Sequence, residues 1–348
     1  MTKILLIDNG IEFDAVSIRQ KAVGGAESAF VSLVESLARL KYEVVVYNNS
    51  KNTGLVNGVF WKKLSNKLDS ELFDILIINR GDKYLNFKKN HKRRFFWIHN
   101  PANYLIKWRY LSKIFFNPTT IVFSSEYHLR TYPKWAPVKK SVIIPYGIDE
   151  FIIKKRKTKN KLPINAIFTS NPLRWLNWLL DRWEKEIFPK VSNVKLHLYT
   201  GSETYGHYGE KHKSKIVPII ERARKLKDKG VELFTPVKRD LLVEKIYKSR
   251  ILLYKGSIDE TFCMSVAESQ TLGVPSVVCD LGCMKERVKN NLTGFVCNNN
   301  EEFSKAAIKL LNDDNCWRNF HKNMIKNKDY NSWDDVGLKW KELLSENY

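Results

Sequence analysis

Two carboxylates, Glu260 and Glu268, are separated by seven residues and flank a loop-to-helix junction in the run Asp259-Glu260-Thr261-Phe262-Cys263-Met264-Ser265-Val266-Ala267-Glu268. Gly273 and Pro275 stop that helix just before the apolar run at 276–279, so the segment reads as loop, short helix and strand. The amides of Phe262, Cys263 and Met264 would lie unpaired in the first turn, where free N–H groups and aligned peptide dipoles attract a phosphate without a metal. Glu260, just before the helix, can accept hydrogen bonds from hydroxyls held over those amides. Glu268, about two turns along, reaches a second set. Two polyol contacts flanking one phosphate site describe a nucleotide sugar. The plain alternative is capping, since helix starts are rich in Glu for that reason alone.

The elements that must position these groups alternate strand and helix. Residues 4–7 form an apolar run ending in Asp8-Asn9-Gly10, the form of a buried parallel strand meeting a loop. Gly24 and Gly25 then open a helix with Phe30, Leu33, Val34, Leu37 and Leu40 on one face, and a strand follows at 44–47. This is a Rossmann-type unit without Gly-x-Gly-x-x-Gly, so a nicotinamide-dependent dehydrogenase is a minor alternative. Lacking a Cβ, Gly24 and Gly25 either let the backbone approach a ligand or simply make a tight turn. Further strands are expected at 73–78, 94–98, 121–125 and 141–144. His99, directly after one of them, either faces a ligand crevice or bonds locally.

The charge run 154–161 reads as a linker, after which the chain restarts with a strand at 166–168. Arg174, at the next helix entrance, can grip a diphosphate with its planar fork. Lys255 either adds a second cation or faces solvent. A strand at 194–199 leads into a polar loop at 200–209, read as a mobile flap. The strand 231–234 ends in Thr235-Pro236-Val237, a helix spans 241–249, and strands follow at 251–254 and 294–296. Residues 303–311 and 315 to the end read as helical, with Trp333, Leu338, Trp340 and Leu343 on one apolar face.

The 348 residues suffice for two domains, and the formal charge of +22 favours phosphate-bearing ligands, anionic lipid or nucleic acid, unless it reflects codon bias. Dispersed basic residues and core-periodic aromatics argue against specific nucleic-acid binding. Five cysteines without Cys-x-x-Cys argue against a disulfide framework and a zinc site, and suit free thiols in a reducing compartment. With no signal peptide or membrane-length apolar run, a cytoplasmic location is expected, with peripheral membrane contact as an option. The segment 104–116 mixes aromatic and basic residues after the basic run 88–94. Together they either rest on an anionic membrane or, in the preferred reading, the aromatics pack on the sheet and the basic run is a solvated loop.

At these residues the chain resembles the retaining GT-B glycosyltransferases of glycosyltransferase family 4 (group 1), through its Glu-x7-Glu spacing and the Ile144-Pro145-Tyr146-Gly147-Ile148-Asp149 run. The resemblance implies an α/β fold of two Rossmann-like domains facing each other across a cleft. Residues 1–150 would be the acceptor side, 151–325 the nucleotide-sugar domain, and 326–348 a helix packing back on the first domain. It implies that Glu260 contacts the transferred sugar, Glu268 the ribose, and the amides of Phe262, Cys263 and Met264 the sugar and diphosphate. Gly24 and Gly25 would face the diphosphate and acceptor, and the main chain at Val237 the base. Arg174 would bind the diphosphate, with Lys255 a candidate for the second cation the family carries. His99 would touch the donor sugar, although Asn100 follows it where the family frequently has Asp.

The implied reaction moves a sugar from a UDP- or GDP-linked donor to a glycan or lipid-linked acceptor, without metal or cofactor. A leaving phosphate oxygen takes the acceptor's proton, so no protein base is essential, and Glu260 and His99 orient the sugar and cushion its charge. Rival readings are a GT-B phosphorylase or epimerase, a basic nucleic-acid-binding protein, and a catalytically inactive GT-B-like scaffold.

Overall fold

The computed structural model describes residues 1–20, 24–65, 68, 72–87, 91–159, 161–201 and 206–346. They form two compact units, the first from Met1–Gln20, Gly25–Gly147 and the described residues from Asn331 on, the second from Gly24 and Ile148–Tyr330.

The first unit holds eight strands: β1 (Lys3–Asp8), β2 (Glu43–Asn48), β3 (Gly54–Val56), β4 (Val59–Lys63), β5 (Ile75–Asn79), β6 (Arg93–Trp97), β7 (Thr120–Phe123) and β8 (Lys140–Ile143). Their spatial order is β3-β4-β2-β1-β5-β6-β7-β8, parallel except for the β3–β4 pair. Ile4 lies opposite Val44 on one side and Ile75 on the other, which is why these central strands read as unbroken apolar runs. The β3–β4 hairpin was not anticipated, although Asn57 (φ 50°) and Gly58 (φ 80°) make the Asn-Gly turn that signals one. Arg93, expected in a solvated basic loop, lies in β6 together with Arg94, where the strand was expected to begin. Arg93 donates to the Leu344 carbonyl and Arg94 to that of Phe87. Residues 88–90 of that run lie outside the described residues.

The C-terminal helix Trp333–Ser345 starts at a capping box made by Ser332 and Asp335 and packs on the helix Gly25–Arg39. Ser36 Oγ donates to the Trp333 carbonyl at 2.8 Å, and Trp340 meets Trp97 edge-on at 5.8 Å. Gly147 makes room for the start of this helix: a Cβ there would lie 2.7 Å from the Trp333 Cα. Leu338, expected on the packed face, is exposed, and Val336 and Leu344 are buried instead. Five residues on from Trp333 is across the helix, not along its stripe.

The second unit holds β9 (Ala166–Phe168), β10 (Leu196–Tyr199), β11 (Val231–Phe234), β12 (Ile251–Leu253), β13 (Ser276–Cys279) and β14 (Gly294–Cys297), all parallel, in the order β11-β10-β9-β12-β13-β14. The run 154–161 is not a free linker. Lys155 pairs with Glu244 at 2.7 Å, and Lys159 is buried with its ammonium over the rings of Tyr247 (4.7 Å) and Trp317 (5.7 Å). Its long aliphatic stem permits that burial, which a charge count does not register. Of the loop at 200–209, residues 202–205 lie outside the described residues, and Gly206–Lys211 is helical. All five cysteines are free. No helix among the described residues is long and apolar enough to cross a membrane.

Candidate functional site

In the second unit β9 has β10 on one side and β12 on the other. The loops leaving β9 and β12 therefore diverge at their carboxyl ends and open a crevice at this switch point. The β9 loop carries Arg174 and the β12 loop carries Glu260, and Arg174 Nη1 lies 3.7 Å from Glu260 Oε1. The buried Tyr254 hydroxyl donates to the same carboxylate oxygen. Burial and the neighbouring Glu260 charge push the Tyr254 phenol well above its ordinary value, so it remains a donor. Burial works against the Arg174 charge, but Glu260, with Tyr254 and Asp259 behind it, raises the guanidinium's pKa overall. Arg174 Nη1 is buried without a hydrogen-bond partner, so a donor remains for an anion in the crevice.

Backbone bonds fix the loop that presents Glu260. Its N–H donates to the Ser257 carbonyl at 3.0 Å, and its own carbonyl accepts from Cys283 N–H at 3.1 Å. Gly282 (φ 61°) makes this approach possible, since a Cβ there would sit 2.7 Å from the Glu260 carbonyl oxygen and 2.3 Å from that of Ser257.

The helix that follows spans Met264–Thr271, and Cys263 caps it in the left-handed region at φ 63°. Phe262 is therefore not in the first turn, contrary to expectation. It is buried, with its ring against the Arg287 guanidinium at 4.5 Å. The first-turn amides belong to Met264, Ser265 and Val266, because the left-handed Cys263 interrupts the helical path one residue earlier. Glu268, expected to reach a second set of ligand hydroxyls, is buried in an ion pair with Arg239, whose Nε also donates to Asp149 Oδ2 at 2.9 Å. Burial raises the Glu268 pKa, Arg239 pulls it back, and the net shift is upward. The Asp149–Arg239–Glu268 set was not anticipated. Arg239 opens the helix Arg239–Tyr247, and nothing in its local sequence marks it as a partner of Glu268.

Lys255 is directed neither to solvent nor into an ion pair with Glu260. Its ammonium sits 3.7 Å from the ring centre of Trp175 and 4.8 Å from that of Trp178. Trp175 holds φ 66°, a left-handed backbone that a bulky residue adopts only where its surroundings impose it. Val237 follows β11 by three residues. Beside it, at the ends of β10 and β11, lies a pocket of about 330 Å³ bounded by Thr200, Phe234, Thr235, Ile216, Ile220 and Arg224.

In the first unit Gly25 opens the helix Gly25–Arg39, while Gly24, the residue before it in sequence, belongs to the second unit. His99 belongs to a chain of buried and half-buried polar groups at the carboxyl ends of β1, β5 and β6 that sequence reasoning did not anticipate. The Tyr146 hydroxyl meets His99 Nδ1, and His99 Nε2 meets Asn79 Oδ1. Asn79 donates to Asp8, and Arg80 bridges Asp8 (3.0 Å) and Glu27 (2.9 Å). Burial, reinforced by Arg80 and His128, holds the His99 pKa well below its ordinary value, so the ring is neutral and offers hydrogen bonds rather than charge. The asparagine amide fixes the tautomer: with Oδ1 accepting, Nε2 carries the proton and Nδ1 accepts from Tyr146. Among the described residues no group of three or more His, Cys, Asp or Glu is arranged to hold a metal ion.

Residues 209–329 match the family described as glycosyl transferases group 1, a stretch that contains Arg239, Lys255, Glu260 and Glu268. No curated protein matches the chain by sequence. Among solved structures, sucrose-phosphate synthase from Thermosynechococcus elongatus superposes with a TM-score of 0.74 at 13% identity, covering 99% of this chain and 98% of that one. Anabaena HepE in complex with UDP-glucose gives 0.74 at 13% identity, over 99% of this chain and 100% of that one. A glycosyltransferase from Rickettsia africae gives 0.71 at 15% identity, over 99% of each chain. At such identities the likeness carries the fold alone, and the fold is GT-B.

Proposed function

For a chain that carries a glycosyltransferase group 1 segment on the GT-B fold, we propose a retaining, nucleotide-sugar-dependent glycosyltransferase of family 4 that acts on a glycan or lipid-linked acceptor. The observation that carries this reading is the convergence of Arg174, Tyr254 and Glu260 at the switch point between β9 and β12, with a helix start immediately behind. A nucleoside diphosphate leaving group gathers negative charge as its bond to the anomeric carbon breaks. Arg174 and the amides at the start of Met264–Thr271 are fixed donors that suit that charge, so the reaction proceeds without a metal or cofactor. Glu260, held by Tyr254, orients the sugar hydroxyls and cushions the positive charge that develops on the ring. The bond to the acceptor oxygen forms on the face the diphosphate leaves, and a phosphate oxygen takes the acceptor's proton.

The pocket beside Val237 accommodates the base. Arg224 at its edge can only donate hydrogen bonds, which suits a carbonyl-bearing base such as the uracil or guanine of a UDP- or GDP-sugar. HepE was solved with UDP-glucose, which supports UDP for this chain too. Free thiols throughout suit a reducing, cytoplasmic compartment. The test is thermal stabilisation by UDP-, GDP-, ADP- and TDP-sugars in the presence of a chelator, repeated on Arg174→Met. Stabilisation by one nucleotide class that weakens in the variant supports the site. No stabilisation by any of them would move the nucleic-acid and inactive-scaffold readings ahead. The anomeric configuration of the product, read by NMR, tests retention.

A further inference from the structure

The preferred reading of segment 104–116 holds for two of its five aromatic residues, Tyr104 and Tyr110. Leu105, Tyr110 and Ile114 are buried in the first unit's core, and Tyr104 and Leu111 pack against it. Ile106, Trp108, Phe115 and Phe116 are not, with exposures of 43%, 78%, 66% and 75%. The helix Trp108–Phe116 accounts for the division. At 100° per residue Tyr110, Leu111 and Ile114 share the inward side, while Trp108, Ser112, Phe115 and Phe116 form one continuous outward stripe. Ser112, the polar member of that stripe, turns its hydroxyl onto the Trp108 carbonyl at 2.8 Å. Phe115 and Phe116 touch only edge-on, at 5.2 Å, so each keeps most of its ring open.

Basic residues rim the stripe. Lys107 precedes the helix and is exposed, while Arg109 and Lys113 follow on the helix flank and share one carboxylate, Asp82. Trp135, 70% exposed beside Lys134, lies between Tyr132 and Ala136, which belong to the same core cluster as Tyr110 and Ile114. We propose that this helix face seats the protein on an anionic lipid bilayer, with Trp108, Phe115 and Phe116 entering the headgroup boundary and Lys107 and Arg109 meeting lipid phosphates. Large rings on one side and cations along its edge are the pattern of a helix lying in the interface plane. A formal charge of +22 on the chain complements an anionic surface and no other lipid surface. One face of a helix this short falls well below the roughly 800 Å² per partner that a specific protein interface buries. A bilayer needs no such area, because each inserted ring adds to binding independently.

Sedimentation of the full-length protein with phosphatidylcholine vesicles, and with vesicles containing about a third phosphatidylglycerol, tests this without any assumption about catalysis. The wild type should pellet with the anionic vesicles and stay in solution with the neutral ones. A Trp108→Ser, Phe115→Ser, Phe116→Ser variant should lose binding about tenfold or more while its unfolding midpoint holds, since all three side chains face outward. Trp108→Ser alone, which disturbs the fold least, should show an intermediate loss. Failure of the wild type to pellet with either vesicle overturns the proposal, as does undiminished binding by the triple variant, which would assign the attraction to dispersed charge. A wild-type dimer that the triple variant dissociates, with no vesicle binding, overturns it in favour of a second copy of the chain on this face.

Discussion

Tyr254 donates its phenolic hydrogen to the Glu260 oxygen that Arg174 faces from 3.7 Å, so one carboxylate is held between a neutral donor and a cation. Two partners on different elements therefore aim that carboxylate, the phenol from β12's end and the guanidinium from the loop after β9.

Tyr254→Phe removes the hydrogen bond and keeps the ring in its buried position. A hydrogen bond to a charged group is worth roughly 1.5–3 kcal/mol, so kcat for sugar transfer should fall about tenfold to a hundredfold. Donor KM should change much less, since the diphosphate contacts are untouched. Unaltered kcat would show that Glu260 needs no such restraint.

Glu268→Ala leaves Arg239 buried with only Asp149 to balance it. Breaking a buried pair in this way costs on the order of 3 kcal/mol, so the unfolding midpoint should drop before any nucleotide is added. Glu268→Gln, which keeps the shape, should lose less. Urea unfolding of both variants beside the wild type decides whether this glutamate holds the second unit together as well as binding ligand.

Stability should fall as the pH is lowered from 7 toward 4.5. Burial pulls the His128 pKa down to about 4, while the unfolded chain titrates near the ordinary histidine value. A depressed folded pKa means that the stability is complete above the unfolded pKa and is lost as pH falls toward the folded one. His128 alone accounts for about 2 kcal/mol by pH 5, and His99, His197 and His321 shift in the same direction. His128→Gln should flatten the dependence of the midpoint on pH. An equally steep profile in that variant would assign the acid sensitivity elsewhere.

Lys159→Met should stabilise the fold. Burial lowers the Lys159 pKa to about 7, and its ammonium has no hydrogen-bond partner. Keeping the lysine therefore costs stability below the unfolded lysine pKa, fully so once pH falls below 7. The faces of Tyr247 and Trp317 offset part of this, leaving an expected gain of roughly 2 kcal/mol at neutral pH for an apolar side chain of similar length. The Lys159 N–H bond to His321 is a backbone contact and survives the change. A lower denaturation midpoint in Lys159→Met would show that the cation–ring contacts outweigh desolvation.

Local sequence determined the elements and their kind. Apolar runs such as 4–7 and 251–253 are strands buried on both faces, and the Glu260 loop does lead into a short helix that Gly273 ends. Such features follow from periodicity and from residues with special backbone freedom, and both act within a few positions of the chain. Which side chains meet is not encoded at that range. Arg174 reaches Glu260 because β12 inserts beside β9, Glu268 faces Arg239 because two helices of the second unit pack together, and Lys255 turns onto Trp175 and Trp178. Leu338 and the rings of Trp108, Phe115 and Phe116 point outward because the phase of a helix against its neighbour, and not its apolar content, decides which residues are covered. Strand order and helix phase are settled by contacts between segments far apart in the chain, so only the tertiary structure could decide them.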